Sequence, residues 1–225
     1  MTVQLPPFTT WRKATEKGYK TSLLERLAKH LHRSPDHNLL QIQYRMHPHI
    51  AKLVSSIFYE DKLRTASSVA QTRMRDDPLQ FIDVDGEEEK QGFSFKNLAE
   101  VSTVCHIVQK EVARPGQVIN VIAFHKPQMF AIRNELEARG LKREGQVEVM
   151  TVDSMQGREA DVIVLSCVRT GSTIGFLADA QRLNVALSRS KEILYIVGAY
   201  DNLARYGSAQ WKLALAHPKM KLCYM

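Results

Sequence analysis

Apolar residues along this chain fall into two alternating kinds of run. Short runs, most of them rich in β-branched residues, occupy residues 39–43 (LLQIQ), 79–84 (LQFIDV), 118–124 (VINVIAF), 147–152 (VEVMTV), 161–168 (DVIVLSCV) and 192–198 (EILYIVG). Their length and composition predict strands. Apolar residues recurring three and four positions apart at 21–33, 47–58, 96–113, 126–139, 179–189 and 200–216 predict helices. Strand and helix in alternation, with strands apolar nearly throughout, describe an α/β fold: a mainly parallel sheet covered by helices on both faces. Gly140, Gly157, Gly171 and Gly175 punctuate connections, and residues 65–75 and the acidic turn 85–91 read as surface loops.

The helix at 179–189 contains QRLNVALSR, with Arg182 and Arg189 seven residues apart. Seven residues is close to two turns, so one continuous helix puts both guanidinium groups on one face and Leu183, Ala186 and Leu187 around the other. Surface arginines and an anion-facing pair are both compatible with that pattern. In open α/β sheets ligands lie beyond the carboxyl ends of the strands. That rule selects Tyr44 and Arg45, His125 and Lys126, Asp153, Gln156 and Glu159, and Arg169, and predicts that they gather along one edge.

With 225 residues, 44% hydrophobic and 24% charged, the chain has the composition of a folded domain able to bury a full core. A net charge of +7 favours polyanionic partners. The charge is uneven. Between Trp11 and Arg33, seven bases face only Glu16 and Glu25, whereas residues 76–89 hold seven acids and no base, an expected solvated face. Cys105, Cys167 and Cys223 lie in apolar contexts without metal-ligand spacing, so reduced thiols are expected and no metal site is. No apolar run approaches a membrane span and no signal-peptide pattern follows Met1, so an intracellular protein, nuclear or cytoplasmic, is expected.

Arginines beside acids and amides suit a nucleoside triphosphate, because a guanidinium grips phosphate oxygens through two parallel hydrogen bonds. Arg45 and Arg189 are the leading candidates. The sequence contains no GxxxxGK[ST] phosphate loop and no strand ending in an acidic pair for Mg²⁺. These residues therefore make half of a site, to be completed by another domain.

Three segments carry a resemblance. QYRMHP (43–48), TVDSMQGREADVIVLSCVR (151–169) and GFLADAQRLNVALSRSKEILYIVG (175–198) resemble motifs IV, V and VI of the Upf-type superfamily 1 helicases, in order. The resemblance extends over almost the whole chain, and Gln4, Leu5, Pro6 and Pro7 are similar to the end of motif III. It implies the second RecA-like domain of a two-domain motor, of the P-loop NTPase type, at residues 38–225, after a helical lead-in at 1–37. The implied activity is ATP-dependent 5′-to-3′ translocation on single-stranded RNA or DNA. ATP and Mg²⁺ would be held jointly with a first RecA-like domain in cis or in trans.

By position, the resemblance implies that Gln4 senses the γ-phosphate and that Arg45 and Arg189 contact it across a cleft. Glu159 would hold the ribose or help order the nucleotide, Tyr44 would pack on the base, and Gly157 and Arg182 would complete the nucleotide side, Arg182 by ion pairing. Thr151, Asp153, Gln156, His125 and Lys126 would face nucleic acid. There are departures: Ala123, Phe124 and His125 stand where Thr-Pro-Tyr is usual, although Gln128 is retained, Met155 replaces an aromatic residue, and Gln181 replaces an arginine. A non-catalytic nucleic-acid-binding or protein-interaction module that kept the fold is the alternative.

Overall fold

A computed structural model of the chain describes residues 5–7, 11–31 and 39–224. Two short helices, α1 (Arg12–Glu16) and α2 (Leu23–Leu31), precede a six-stranded parallel sheet. Its strands are β3 (Leu79–Asp83), β6 (Ile119–Ala123), β7 (Val147–Thr151), β8 (Ala160–Ser166), β9 (Ser190–Gly198) and β10 (Lys221–Tyr224), in the order β10-β3-β9-β8-β6-β7. Successive side chains of a strand face opposite ways, and the alternation sorts the core into two halves. Ile163, Leu165, Leu194 and Ile196 meet α3 (Pro48–Phe58), α7 (Ala180–Leu187) and α9 (Ala209–Leu215) on one face. Val162, Val164, Ile193 and Val197 meet α5 (Leu98–Val112) and α6 (Lys126–Ala138) on the other. Apolar burial on both faces explains why these strands read as continuous apolar runs.

Several expectations need correction. Of residues 39–43 only Ile42–Gln43 (β1) is a strand; it pairs with Arg64–Thr65 (β2) outside the main sheet, and Leu40 is exposed. The segment 65–75 carries α4 (Ser67–Thr72), anchored at its end by Arg73–Glu192 (2.7 Å) and Arg75–Glu111 (2.6 Å) ion pairs. The acidic turn runs into a hairpin, β4 (Glu89–Gln91) with β5 (Ser94–Lys96). The helix expected at 200–216 is two, α8 (Tyr200–Tyr206) and α9, because the chain must leave α8 at Gly207: a Cβ there would lie 2.1 Å from the Leu203 carbonyl oxygen. Ser208 then caps α9, and the fully buried Trp211 donates its indole N–H to the Leu177 carbonyl at 2.8 Å.

Candidate nucleotide-facing site

The turn Tyr44–Met46 is built by one side chain. Gln43 Oε1 accepts from the backbone N–H groups of Arg45 (2.9 Å) and Met46 (2.7 Å), while its Nε2 donates to the Met46 carbonyl and to Thr65 Oγ1, both at 2.9 Å. Met46 is buried in the core, and His47 caps α3 by accepting the His49 N–H on its Nδ1 at 3.1 Å. Pro48 opens the helix with φ pre-set for it. The arrangement leaves Tyr44 68% exposed and sends Arg45 toward the starts of β8 and β9.

Arg45 Nε donates to Glu159 Oε2 at 2.6 Å and its Nη1 to the Ser188 carbonyl at 3.2 Å. The other oxygen of Glu159 receives Lys191 Nζ at 3.1 Å. The Arg45 hydrogen bond, opposed by burial and aided by Lys191, holds the Glu159 carboxyl below its usual range, so it is ionised. Beside them Arg189 is 6% exposed, and its Nε is buried with no hydrogen-bond partner. Burial first, and then the charge of Arg45, lowers its pKa. The one carboxylate is thus bonded to Arg45 and Lys191, while Arg189 feels its charge without a bond to it. Isolated buried cations are costly unless met by an anion.

The end of α7 is different from that expected. The helix ends at Leu187, Ser188 is its C-cap, and Arg189 lies in the bend before β9. Its carbonyl already accepts the Ala160 N–H at 3.2 Å, so the backbone there belongs to the sheet and cannot continue the helix. Arg182 and Arg189 therefore belong to separate groups. Arg182 Nε donates to Asp153 (3.0 Å) and Nη1 to Asp179 (2.9 Å), and its guanidinium lies over Phe176. Asp179 is also the α7 N-cap, accepting the backbone N–H groups of Gln181 and Arg182 at 3.0 Å. Asp153, Gln156, Asp179 and Arg182 line a 460 Å³ cavity whose other wall is Leu5–Pro7, Lys20 and Ser22 of the lead-in. Gln4 lies outside the described residues.

A single carboxyl edge does not hold all the candidates. Because β8 and β9 are parallel and paired from Ala160↔Ser190 onward, Glu159, Arg189 and Lys191 flank the amino ends of these strands, and Arg45 joins them there. His125, Lys126 and Arg169 follow the carboxyl ends of β6 and β8, and Thr151 is the last residue of β7. The chain returns between the two edges through a 3-10 turn, Val152–Met155, and Gly157, whose φ of +82° favours glycine. Thr151 Oγ1 lies 3.0 Å from Ser154 Oγ, and Gln156 is exposed.

At the carboxyl edge His125 is 3% exposed, with Nδ1 3.0 Å from Ser94 Oγ, Nε2 unpartnered, and Phe95 and Phe176 beside the ring. Burial, then the charge of Arg169, pushes its pKa down to about 4, so the ring is neutral. Lys126 is exposed, so a ligand on the surface meets Lys126 and not the His125 ring. Arg169 grips Glu88 through two bonds (2.7 and 3.2 Å) and stacks 4.0 Å from the centre of Phe95, which fastens the β4–β5 hairpin over this edge. Glu88 is thus one acid of the expected solvated face that is taken inward; Asp83, which accepts the Tyr200 N–H at 2.8 Å, is another. Below it the fully buried Glu100 accepts from Ser166 Oγ (2.6 Å) and the Val168 N–H (2.8 Å), where Val168 has a left-handed φ of +72°. Gln128 joins the same network through Ser166 Oγ at 3.0 Å. Among the described residues, no group of His, Cys, Asp or Glu is arranged to hold a metal ion.

A family model described as an AAA domain matches residues 19–201. The chain is 39% identical over 240 residues to a regulator of nonsense transcripts 1 homolog of Neurospora crassa, covering 98% of this chain and 21% of that protein. It is 35% identical over 215 residues to the probable helicase senataxin of Homo sapiens, covering 87% and 8% respectively. The ATP-dependent helicase NAM7 of Saccharomyces cerevisiae is 36% identical over 239 residues, covering 98% and 24%. The chain thus spans less than a quarter of the length of these relatives. Among solved structures, the C-terminal domain of a possible DNA helicase from Lactobacillus plantarum matches in fold with a TM-score of 0.54 at 16% identity, covering 80% of this chain and 98% of that one.

Proposed function

The chain belongs to the Upf-type superfamily 1 helicases, as a C-terminal RecA-like domain, and on that premise we propose that it is the second half of an ATP-driven 5′-to-3′ motor on single-stranded RNA or DNA. Residues 38–225 form the motor domain and residues 1–37 the lead-in from motif III. A first RecA-like domain, in cis or in trans, holds the nucleotide; Mg²⁺ arrives with the triphosphate. The protein works inside the cell, in nucleus or cytoplasm.

The observation that carries this reading is the Arg45–Glu159–Arg189 cluster with an unpartnered guanidinium nitrogen on Arg189. Its residues fit a triphosphate: the planar forks match phosphate oxygens, and burial of Arg189 and the bonds of Arg45 to Glu159 and Ser188 hold them before the anion arrives. Arg45 and Arg189 act as fingers on the transferring phosphoryl group, with Gln4 sensing the same phosphate. Glu159, now bonded to Arg45 and Lys191, exchanges that partnership for the ribose as the cleft closes. Tyr44 packs on the base, Gly157 turns the chain between the two edges, and Arg182 braces motif V through Asp153. Thr151, Asp153, Gln156 and Lys126 face the nucleic-acid backbone, with His125 as the layer beneath.

In the complete motor, Arg189→Ala lowers single-strand-stimulated ATP turnover by roughly 10³ to 10⁵. Arg189→Lys recovers little of that loss, since an ammonium cannot form the two-pronged contact. Steady-state turnover beside a melting curve tests both; near wild-type turnover by a normally folded Arg189→Ala protein would sink the finger assignment.

A further inference from the structure

A groove of 460 Å³ lies between α3 and the turn from α9 to β10. His49, Lys52 and Asp61 line it from α3 and the turn after it; Leu213, His217 and Lys219 line it from α9 and beyond. None of the nucleotide-facing residues takes part. Four of these six side chains are cations or imidazoles, and the single carboxylate, Asp61, is already bonded to Lys52 Nζ at 2.7 Å. Lys219 forms no ion pair among the described residues. Leu213 is 55% exposed within the same groove.

The imidazoles register the crowding. His49 is held below its usual pKa by burial and by Lys219, and His217 by burial, His49 and Lys52. The His47 ring stands edge-on to His49 at 5.0 Å and is pushed down to about 4 by burial and that neighbour. With Lys52 already met by Asp61, Lys219 faces imidazoles that the crowding keeps from protonating, and an arriving anion relieves that repulsion. An apolar side chain exposed among them adds a second kind of contact.

We propose that this groove binds an acidic peptide segment of a protein partner, with carboxylates against Lys219, His217 and His49 and an apolar side chain against Leu213. A peptide fits better than a nucleic-acid strand because the exposed Leu213 asks for an apolar side chain, and no Phe, Tyr or Trp joins the two imidazoles to make a stacking platform. Nor does any arginine line it to fork a phosphate.

The test is fluorescence anisotropy of a labelled peptide of alternating glutamate and leucine, titrated with the 225-residue chain. Saturable binding is expected. It tightens as pH falls from about 7.5 to about 5.5, because His49 and His217 take up protons when carboxylates bind. It weakens as salt rises from about 50 to about 200 mM. Lys219→Glu lowers affinity about tenfold or more, since a like charge then faces the peptide. His217→Gln removes most of the pH dependence, and a peptide with glutamine in place of glutamate does not bind. Should Lys219→Glu melt early, Lys219→Gln gives the same loss at about threefold. The proposal is overturned if the acidic peptide does not bind or if both Lys219 variants bind it as the wild type does. It is equally overturned if a single-stranded oligouridylate displaces it through Lys219, which would make the groove a nucleic-acid contact.

Discussion

Glu159 stands between Arg45 and Lys191 and is half-exposed, so its value lies in aiming Arg45 and hardly at all in stability. Glu159→Gln is therefore expected to leave the melting temperature within a degree or two while weakening nucleotide binding by the complete motor about tenfold, read by titration with a fluorescent ATP analogue. Gly157→Ala meets no clash, since nothing lies within 4 Å of a Cβ there, but the left-handed φ of +82° costs about 1 kcal/mol. Urea unfolding measures that loss, and turnover should fall further because Gln156 and Glu159 ride on the same turn. Arg45, Arg189 and Glu159 were legible as candidates from their place in motif-like segments. Lys191 was not, because a lysine at the start of a strand looks like any surface cation. Gln43 was missed for a related reason: its four hydrogen bonds run to the backbone and to Thr65, and no sequence spacing announces them.

Of the candidate residues α7 carries only Arg182, but it packs the core behind them: its Leu183, Val185, Ala186 and Leu187 are fully buried. Leu183→Ala should cost about 2 to 5 kcal/mol through the cavity it leaves, with activity affected only indirectly. Asp179→Ala removes the N-cap of the helix at about 1 kcal/mol and frees Arg182 from one of its two carboxylates. Denaturant titration should separate the two variants, with the larger loss in the first. The existence and order of the long elements were legible because burial on both faces makes central strands unmistakably apolar. Their ends were less so. The periodicity of 179–189 runs through Arg189, yet the sheet claims that residue's carbonyl first. The four residues of β10 and the two of β1 are too short for any pattern, and the β4–β5 hairpin is held through Glu88, the residue before it, by Arg169 from a distant part of the chain.

At the scale of the whole molecule, pH acts from two sides. Burial raises Glu100 to about 8, so the native carboxyl is neutral where the unfolded one, near 4.5, has ionised. Its contribution to stability is complete below about 4.5 and is lost as pH rises through about 8. His47 and His125, lowered from 6.5 to about 4, contribute stability that is present above 6.5 and lost as pH falls through about 4. The melting temperature should therefore peak near pH 6.5, where the histidine gain is complete, and Glu100→Gln should flatten the fall above that pH and steepen the rise below it. Calorimetry across that range checks it; an alkaline slope unchanged in Glu100→Gln would contradict the assignment. The strand order has a consequence in time as well. β3 lies between β9 and β10, and Leu79 pairs with Leu194 across more than half the chain. During synthesis Leu79 and Phe81, both destined for full burial, emerge from the ribosome long before either neighbouring strand exists. Until β9 is made they are an apolar segment with open backbone on both sides, the kind that chaperones cover and that aggregates when uncovered.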